Sequence, residues 1–118
     1  MTNQLVYWSG TGVTKRIAEM LGGIPLDEYE EGDFIIMFPS YGAPHTGGHI
    51  PPAVDKFLDK HWLSMTGVVG VGNVTFGEDF CRGARELSWL VGVPLIAEID
   101  MVPSYQLFKT IEYAMKGS

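Results

Sequence analysis

Residues 4–14 read Gln4-Leu5-Val6-Tyr7-Trp8-Ser9-Gly10-Thr11-Gly12-Val13-Thr14. An apolar run, Leu5 to Trp8, passes directly into a loop of glycines and hydroxyl residues, and that loop opens an amphipathic segment. Strand, glycine–hydroxyl loop and helix in this order suit a single phosphate. Gly10 and Gly12 let backbone N–H groups close on an anion. The helix N-terminus adds unpaired donors and a partial positive charge. Ser9, Thr11 and Thr14 offer hydroxyls.

The same stretch excludes several phosphate chemistries. No Lys or Arg precedes Lys15, so the loop lacks the lysine that grips a nucleoside triphosphate. Gly10 and Gly12 have no third glycine at 15, so the dinucleotide fingerprint is not met. A receiver-type phosphorylation site wants acidic residues where Tyr7 and Trp8 stand. Two readings stay open on this stretch alone. One is a monophosphate held by neutral donors, as flavin mononucleotide (FMN) is held at the switch point of a doubly wound sheet. The other is an ordinary hydroxyl-rich βα turn with its N-cap at Thr11 or Thr14.

Outward from this stretch the pattern alternates strand and helix. Val13, Ile17, Met20 and Leu21 recur as one helical face, and Gly22-Gly23 stops it. Ile24-Pro25-Leu26 fits a short edge strand. Phe34 to Phe38 is apolar throughout, as a strand buried on both faces should be. Pro52 opens a second helix with Val54, Phe57 and Leu58 inward and Trp62 plugging its end. Gly67 to Gly72 is a fourth strand. Phe80, Ala84, Leu87 and Val91 mark a third helix, which leaves Trp89 on its exposed face. Val93 to Ile99 is a fifth strand, and Ser104 caps a last helix with Phe108, Ile111 and Met115 inward. This alternation predicts an α/β domain spanning 1–118, a doubly wound parallel sheet of order 2-1-3-4-5 with helices on both faces.

Composition bounds the function. The chain has 118 residues, 46% of them hydrophobic, a net charge of −6 and one cysteine, Cys81. A chain of this size buries roughly 65% of its unfolded surface. The negative charge disfavours nucleic acid and membrane surfaces. No apolar run approaches the ~20 residues of a membrane span, and the N-terminus lacks signal-peptide features. A cytoplasmic protein is expected. The lone cysteine fits a reducing compartment and reads as a packed residue near the start of the third helix. His45, His49 and His61 have no thiolate or carboxylate set at ligand spacing, so no metal site is expected.

Two further loops lie at the predicted carboxyl ends of the strands. The segment 39–51 reads P-S-Y-G-A-P-H-T-G-G-H-I-P, longer than the ~2–6 residues of an ordinary βα connection. Tyr41 suits the face of an aromatic ligand. The segment 72–80 reads G-N-V-T-F-G-E-D-F, and Phe76 beside Gly77 suits the edge of one.

Together with L-V-Y-W-S-G-T-G-V-T-K-R at 5–16 and V-G-V-P-L-I at 91–96, these loops resemble the flavodoxin-like family that serves class Ib ribonucleotide reductase, the NrdI family. The resemblance covers nearly the whole chain. It implies FMN phosphate contacts from Ser9, Gly10, Thr11, Gly12, Val13 and Thr14. It implies isoalloxazine contacts from Ser40, Tyr41, Gly42 and Ala43, and from Asn73, Phe76, Gly77 and Phe80. It also implies a role: reducing O2 at the flavin and passing the oxidant to the dimanganese site of the reductase small subunit, so that the tyrosyl radical forms. The implied partners are that small subunit and a protein donor that reduces the flavin. Val13 stands where many relatives carry Asn, and Val102-Pro103-Ser104 replaces the Gly-Thr and acidic residues often found after the fifth strand. The competing functions are a general electron-transfer flavodoxin and an α/β interaction module without cofactor. A flavin's potential depends on nearby charge. The segment 39–51 has no Asp or Glu but contains His45 and His49, which favours an anionic reduced flavin, more so below about pH 6.5.

Overall fold

The computed structural model describes residues 3–10, 12–39, 50–72, 82–100 and 104–117. The elements are β1 (Gln4–Tyr7), α1 (Val13–Met20), β2 (Ile24–Pro25), β3 (Phe34–Pro39), α2 (Pro52–His61), β4 (Met65–Gly72), α3 (Arg82–Val91), β5 (Leu95–Asp100) and α4 (Tyr105–Met115). The strands form one sheet of order β2-β1-β3-β4-β5, and every pairing is parallel. This is the expected doubly wound order. β1 leads through α1 to β2 on one side, while β3 lies on the other, so the carboxyl end of β1 sits at the switch point.

The strands divide two cores. Leu5, Tyr7, Ile35, Met37, Val69 and Ile99 meet Ile17 and Ala18 of α1 and Ile111 of α4 on one face. Val6, Phe34, Ile36, Phe38 and Val68 meet Val54 and Leu58 of α2 and Ala84 and Leu87 of α3 on the other. β3 is buried along its whole length, because a central parallel strand is covered on both faces. Each fully buried Leu, Ile or Phe contributes roughly 1.5–3 kcal/mol.

Several boundaries differ from the sequence expectation, each for a local reason. β1 ends at Tyr7, although the Trp8 N–H still donates to the Met37 carbonyl at 3.0 Å. β2 holds only Ile24 and Pro25, and Leu26 begins a 3-10 turn, Leu26–Glu28. β4 starts earlier, at Met65. β5 starts at Leu95 because Pro94 has no N–H to donate, though its carbonyl accepts from Val68 N–H at 3.0 Å. Met20 is 68% exposed rather than inward. The buried arc of α1 runs through Thr14, Ile17 and Ala18, with Leu21 packed beside it, and Met20 falls outside that arc. Gly22 (φ 78) then ends the helix in a Schellman motif: its N–H donates to Glu19 O, and Gly23 N–H donates to Ala18 O.

Trp62 does not plug the end of α2. It lies 48% exposed in a 3-10 turn, Trp62–Ser64. His61 fills that place, its ring 4.7 Å from Phe57 and 5.0 Å from Tyr29. α2 opens with Pro52 as expected. Ser104 caps α4, its hydroxyl accepting from Leu107 N–H at 3.2 Å. Ile111 is buried, and Phe108 and Met115 pack against the same core. Ala84 and Leu87 are buried on α3, with Val91 packed beside that core. Trp89 is exposed on its outer face, also as expected. Phe80 and Cys81 lie outside the described residues.

Candidate functional site

The loop after β1 is built around Gly12. This residue takes φ 96 and ψ −13 at the N-cap of α1, a left-handed conformation that L side chains rarely adopt. The Ser9 hydroxyl braces it, accepting from Gly12 N–H at 3.0 Å. The ordinary-turn reading placed the N-cap at Thr11 or Thr14; the cap residue is Gly12 instead, and among the described residues no side chain caps the N-terminal donors of α1. Helices usually satisfy these donors with a side chain.

Thr14 sits in the first turn, 1% exposed. No hydrogen bond from the described residues reaches its hydroxyl. A buried hydroxyl without a partner is costly. Bare helix donors and an orphaned hydroxyl at one point fit an anion there. Val13 packs against the α1-side core and offers only its backbone N–H. Gly10 is exposed at the loop's tip. Thr11 lies outside the described residues, as do Ser40, Tyr41, Gly42, Ala43, Asn73, Phe76, Gly77 and Phe80, and the two loop histidines His45 and His49.

Residues 5–106 match the family model described as NrdI Flavodoxin like. The relative named Protein NrdI from Enterobacter sp. (strain 638) is 35% identical over 124 residues, covering 96% of this chain and 89% of its own. The chain belongs to the NrdI flavodoxin-like family. Protein NrdI of Escherichia coli O17:K52:H18 (strain UMN026 / ExPEC) is likewise 35% identical, over 126 residues that cover 98% of this chain and 92% of that one. A solved short-chain flavodoxin associated with a non-canonical PDU bacterial microcompartment has the same fold. Its TM-score is 0.67 at 15% identity, and the match covers 99% of this chain and 96% of that chain.

One residue at the carboxyl end of β1 escaped the sequence reading. Tyr7 was read only as strand. It is 6% exposed, and no hydrogen bond from the described residues reaches its hydroxyl. Burial pushes this phenol above its usual pKa, and the charges of Glu19, Glu28 and Asp27 push it further the same way. The only signal in the sequence was a hydroxyl on an inward-facing strand position.

Among the described residues no group of three His, Cys, Asp or Glu comes together to hold a metal ion. Among them, too, no helix is long and apolar enough to cross a membrane.

Proposed function

We propose that this chain binds FMN at the carboxyl end of its sheet and serves a class Ib ribonucleotide reductase. One observation carries the cofactor assignment: the orphaned Thr14 hydroxyl beneath the uncapped N-terminus of α1. The phosphate is held by Ser9, Gly10, Thr11, Gly12, Val13 and Thr14. Ser9 fixes the turn, Gly12 opens it, the backbone N–H groups of the first helical turn face the anion, and Thr14 donates from below. The ring is assigned to Ser40, Tyr41, Gly42 and Ala43 after β3, and to Asn73, Phe76, Gly77 and Phe80 after β4. Sheet order supports this placement, because β3 and β4 follow β1 on one side.

When bound, FMN supplies electrons for the reduction of O2, and the oxidant so formed serves the dimanganese site of the reductase small subunit. The chain's own residues set charge and access around it. A loop without cations holds the phosphate by neutral donors. Family membership supports the link to ribonucleotide reductase, with a protein donor restoring the reduced state.

The test has two stages. Calorimetry with FMN, and with riboflavin as the phosphate-free control, must show saturable binding that depends on the phosphate; no heat with FMN ends the cofactor assignment. The loaded, reduced protein is then mixed with O2, Mn(II) and class Ib small subunits. Tyrosyl radical seen by electron paramagnetic resonance supports the activating role. No radical, with brisk electron transfer to other acceptors, makes the protein a general electron-transfer flavodoxin instead.

A further inference from the structure

The β2 edge of the sheet carries groups that the phosphate loop does not use. Between α1 and the segment leaving β2 lies a cleft of ≈ 510 Å³, lined by Tyr7, Trp8, Lys15, Asp27 and Glu28 and bordered by Ser9 of the phosphate loop and Ala53 of α2. Tyr7, 6% exposed, lies at its floor, and its hydroxyl has no partner among the described residues. That phenol stays protonated at neutral pH, with an oxygen free to accept and a hydrogen free to donate.

From the cleft an acidic ridge continues. Asp27, Glu28, Glu30, Glu31 and Asp33 are all exposed, and among the described residues none of them forms an ion pair. The ridge is held in place rather than loose. The Tyr29 ring lies edge-on to Phe34 at 5.0 Å and to Phe57 at 5.4 Å, and its hydroxyl donates to Gly32 O at 2.7 Å. Gln4 Nε2 donates to Glu31 O at 2.6 Å. Five of the chain's fourteen carboxylates are therefore displayed on a preorganised strip without a direct ion pair among the described residues.

We propose that this cleft and ridge form a docking surface for a basic segment of a partner protein, with one arginine side chain seated in the cleft. A guanidinium fits the groups present. Its plane can lie against the Trp8 ring, and its fork can donate to the carboxylates of Asp27 and Glu28 and to the Tyr7 oxygen. The Tyr7 hydrogen then goes to a carboxylate. Lys15 stands on the α1 wall of the same cleft. Further basic residues of the segment fall along Glu30, Glu31 and Asp33. This surface goes beyond the flavin reading and does not rest on it, although the cleft borders the phosphate loop at Ser9.

The probe is a blocked pentapeptide with arginine at its centre and a second arginine at its end; its counterpart carries citrulline at both places. Each is titrated into the full chain at low salt and followed by two-dimensional amide NMR. FMN is titrated into the same preparation, so a failed docking surface and a failed flavin site are told apart. The expected result is saturable shifts centred on residues 7–8 and 26–28 with the arginine peptide, and none with citrulline. Asp27→Asn with Glu28→Gln should weaken the arginine peptide at least tenfold. Tyr7→Phe should weaken it about threefold while leaving the fold intact and the urea midpoint no lower, because it removes only a hydroxyl without a partner among the described residues. Shifts scattered over every acidic patch, equal binding of the citrulline peptide, no saturable binding, or unchanged affinity in either variant overturns the proposal.

Discussion

Replacing Thr14 by valine should act in opposite directions on the free and the loaded protein. Valine keeps the β-branched shape and removes one hydroxyl. In the free protein that hydroxyl is 1% exposed and has no partner among the described residues, so it bears a desolvation cost of about 1–3 kcal/mol with nothing to offset it. Thr14→Val is therefore expected to raise the unfolding free energy of the apoprotein by about 1 kcal/mol, the low end of that range. In the loaded protein the hydroxyl donates to a charged phosphate, a bond worth roughly 1.5–3 kcal/mol. FMN affinity should fall by about tenfold to hundredfold, while riboflavin affinity stays as it was. Urea unfolding of the apoprotein gives the first quantity, and quenching of flavin fluorescence gives the second. At saturating FMN the order of stabilities should reverse, since a ligand stabilises in proportion to the logarithm of its concentration over Kd. An apoprotein weakened by the substitution, with FMN and riboflavin affinities both unchanged, would refute the reasoning, because Thr14 would then have an apoprotein partner and no anion above it.

Gly12→Ala meets no atom within 4 Å of its new Cβ, so its cost is backbone strain at φ 96 alone. About 1–2 kcal/mol should be lost in thermal or urea unfolding, with amide shifts confined to the turn. Ile36→Ala empties a site that is 0% exposed in the middle of the central strand. It should cost about 2–5 kcal/mol in urea unfolding. The Tyr7 phenol, raised in the folded state by burial and then by neighbouring carboxylates, gives a pH dependence of definite sign. Its contribution is present in full below the ordinary phenol value near 10 and is lost as pH rises through the higher folded value. Wild-type stability should therefore fall more steeply than that of Tyr7→Phe above about pH 10, measured as urea midpoints at several alkaline pH values.

The architecture was legible because its signals are local. Phe34 to Phe38 without a polar residue marks a strand covered on both faces, and the spacing of Val54 and Leu58, or of Phe108, Ile111 and Met115, marks one side of a helix. What the sequence hid depends on non-local geometry. Met20 fits the helical period of α1, but the sheet buries an arc centred on Thr14 and Ala18, and periodicity alone cannot choose between arcs so close together. The cap at Gly12 needs a positive φ, which composition permits but does not demand. Tyr7 acquires its acidic surroundings only when parallel pairing sets it beside Pro25, bringing Asp27 and Glu28 over a strand far from them in the chain. Of the candidate site, the phosphate loop could be read directly. Its decisive group, a hydroxyl without a partner, appears only once the helix is docked.

α1 is 8 residues long, shorter than the ~12–15 residues at which an isolated helix becomes even marginal in water. It persists because Ile17 and Ala18 anchor its underside, while among the described residues no side chain caps its leading turn. Cofactor and helix would thus complete one another, the anion closing a spiral too brief to close itself. Departure of the nucleotide should be felt first as fraying there, with the sheet beneath undisturbed.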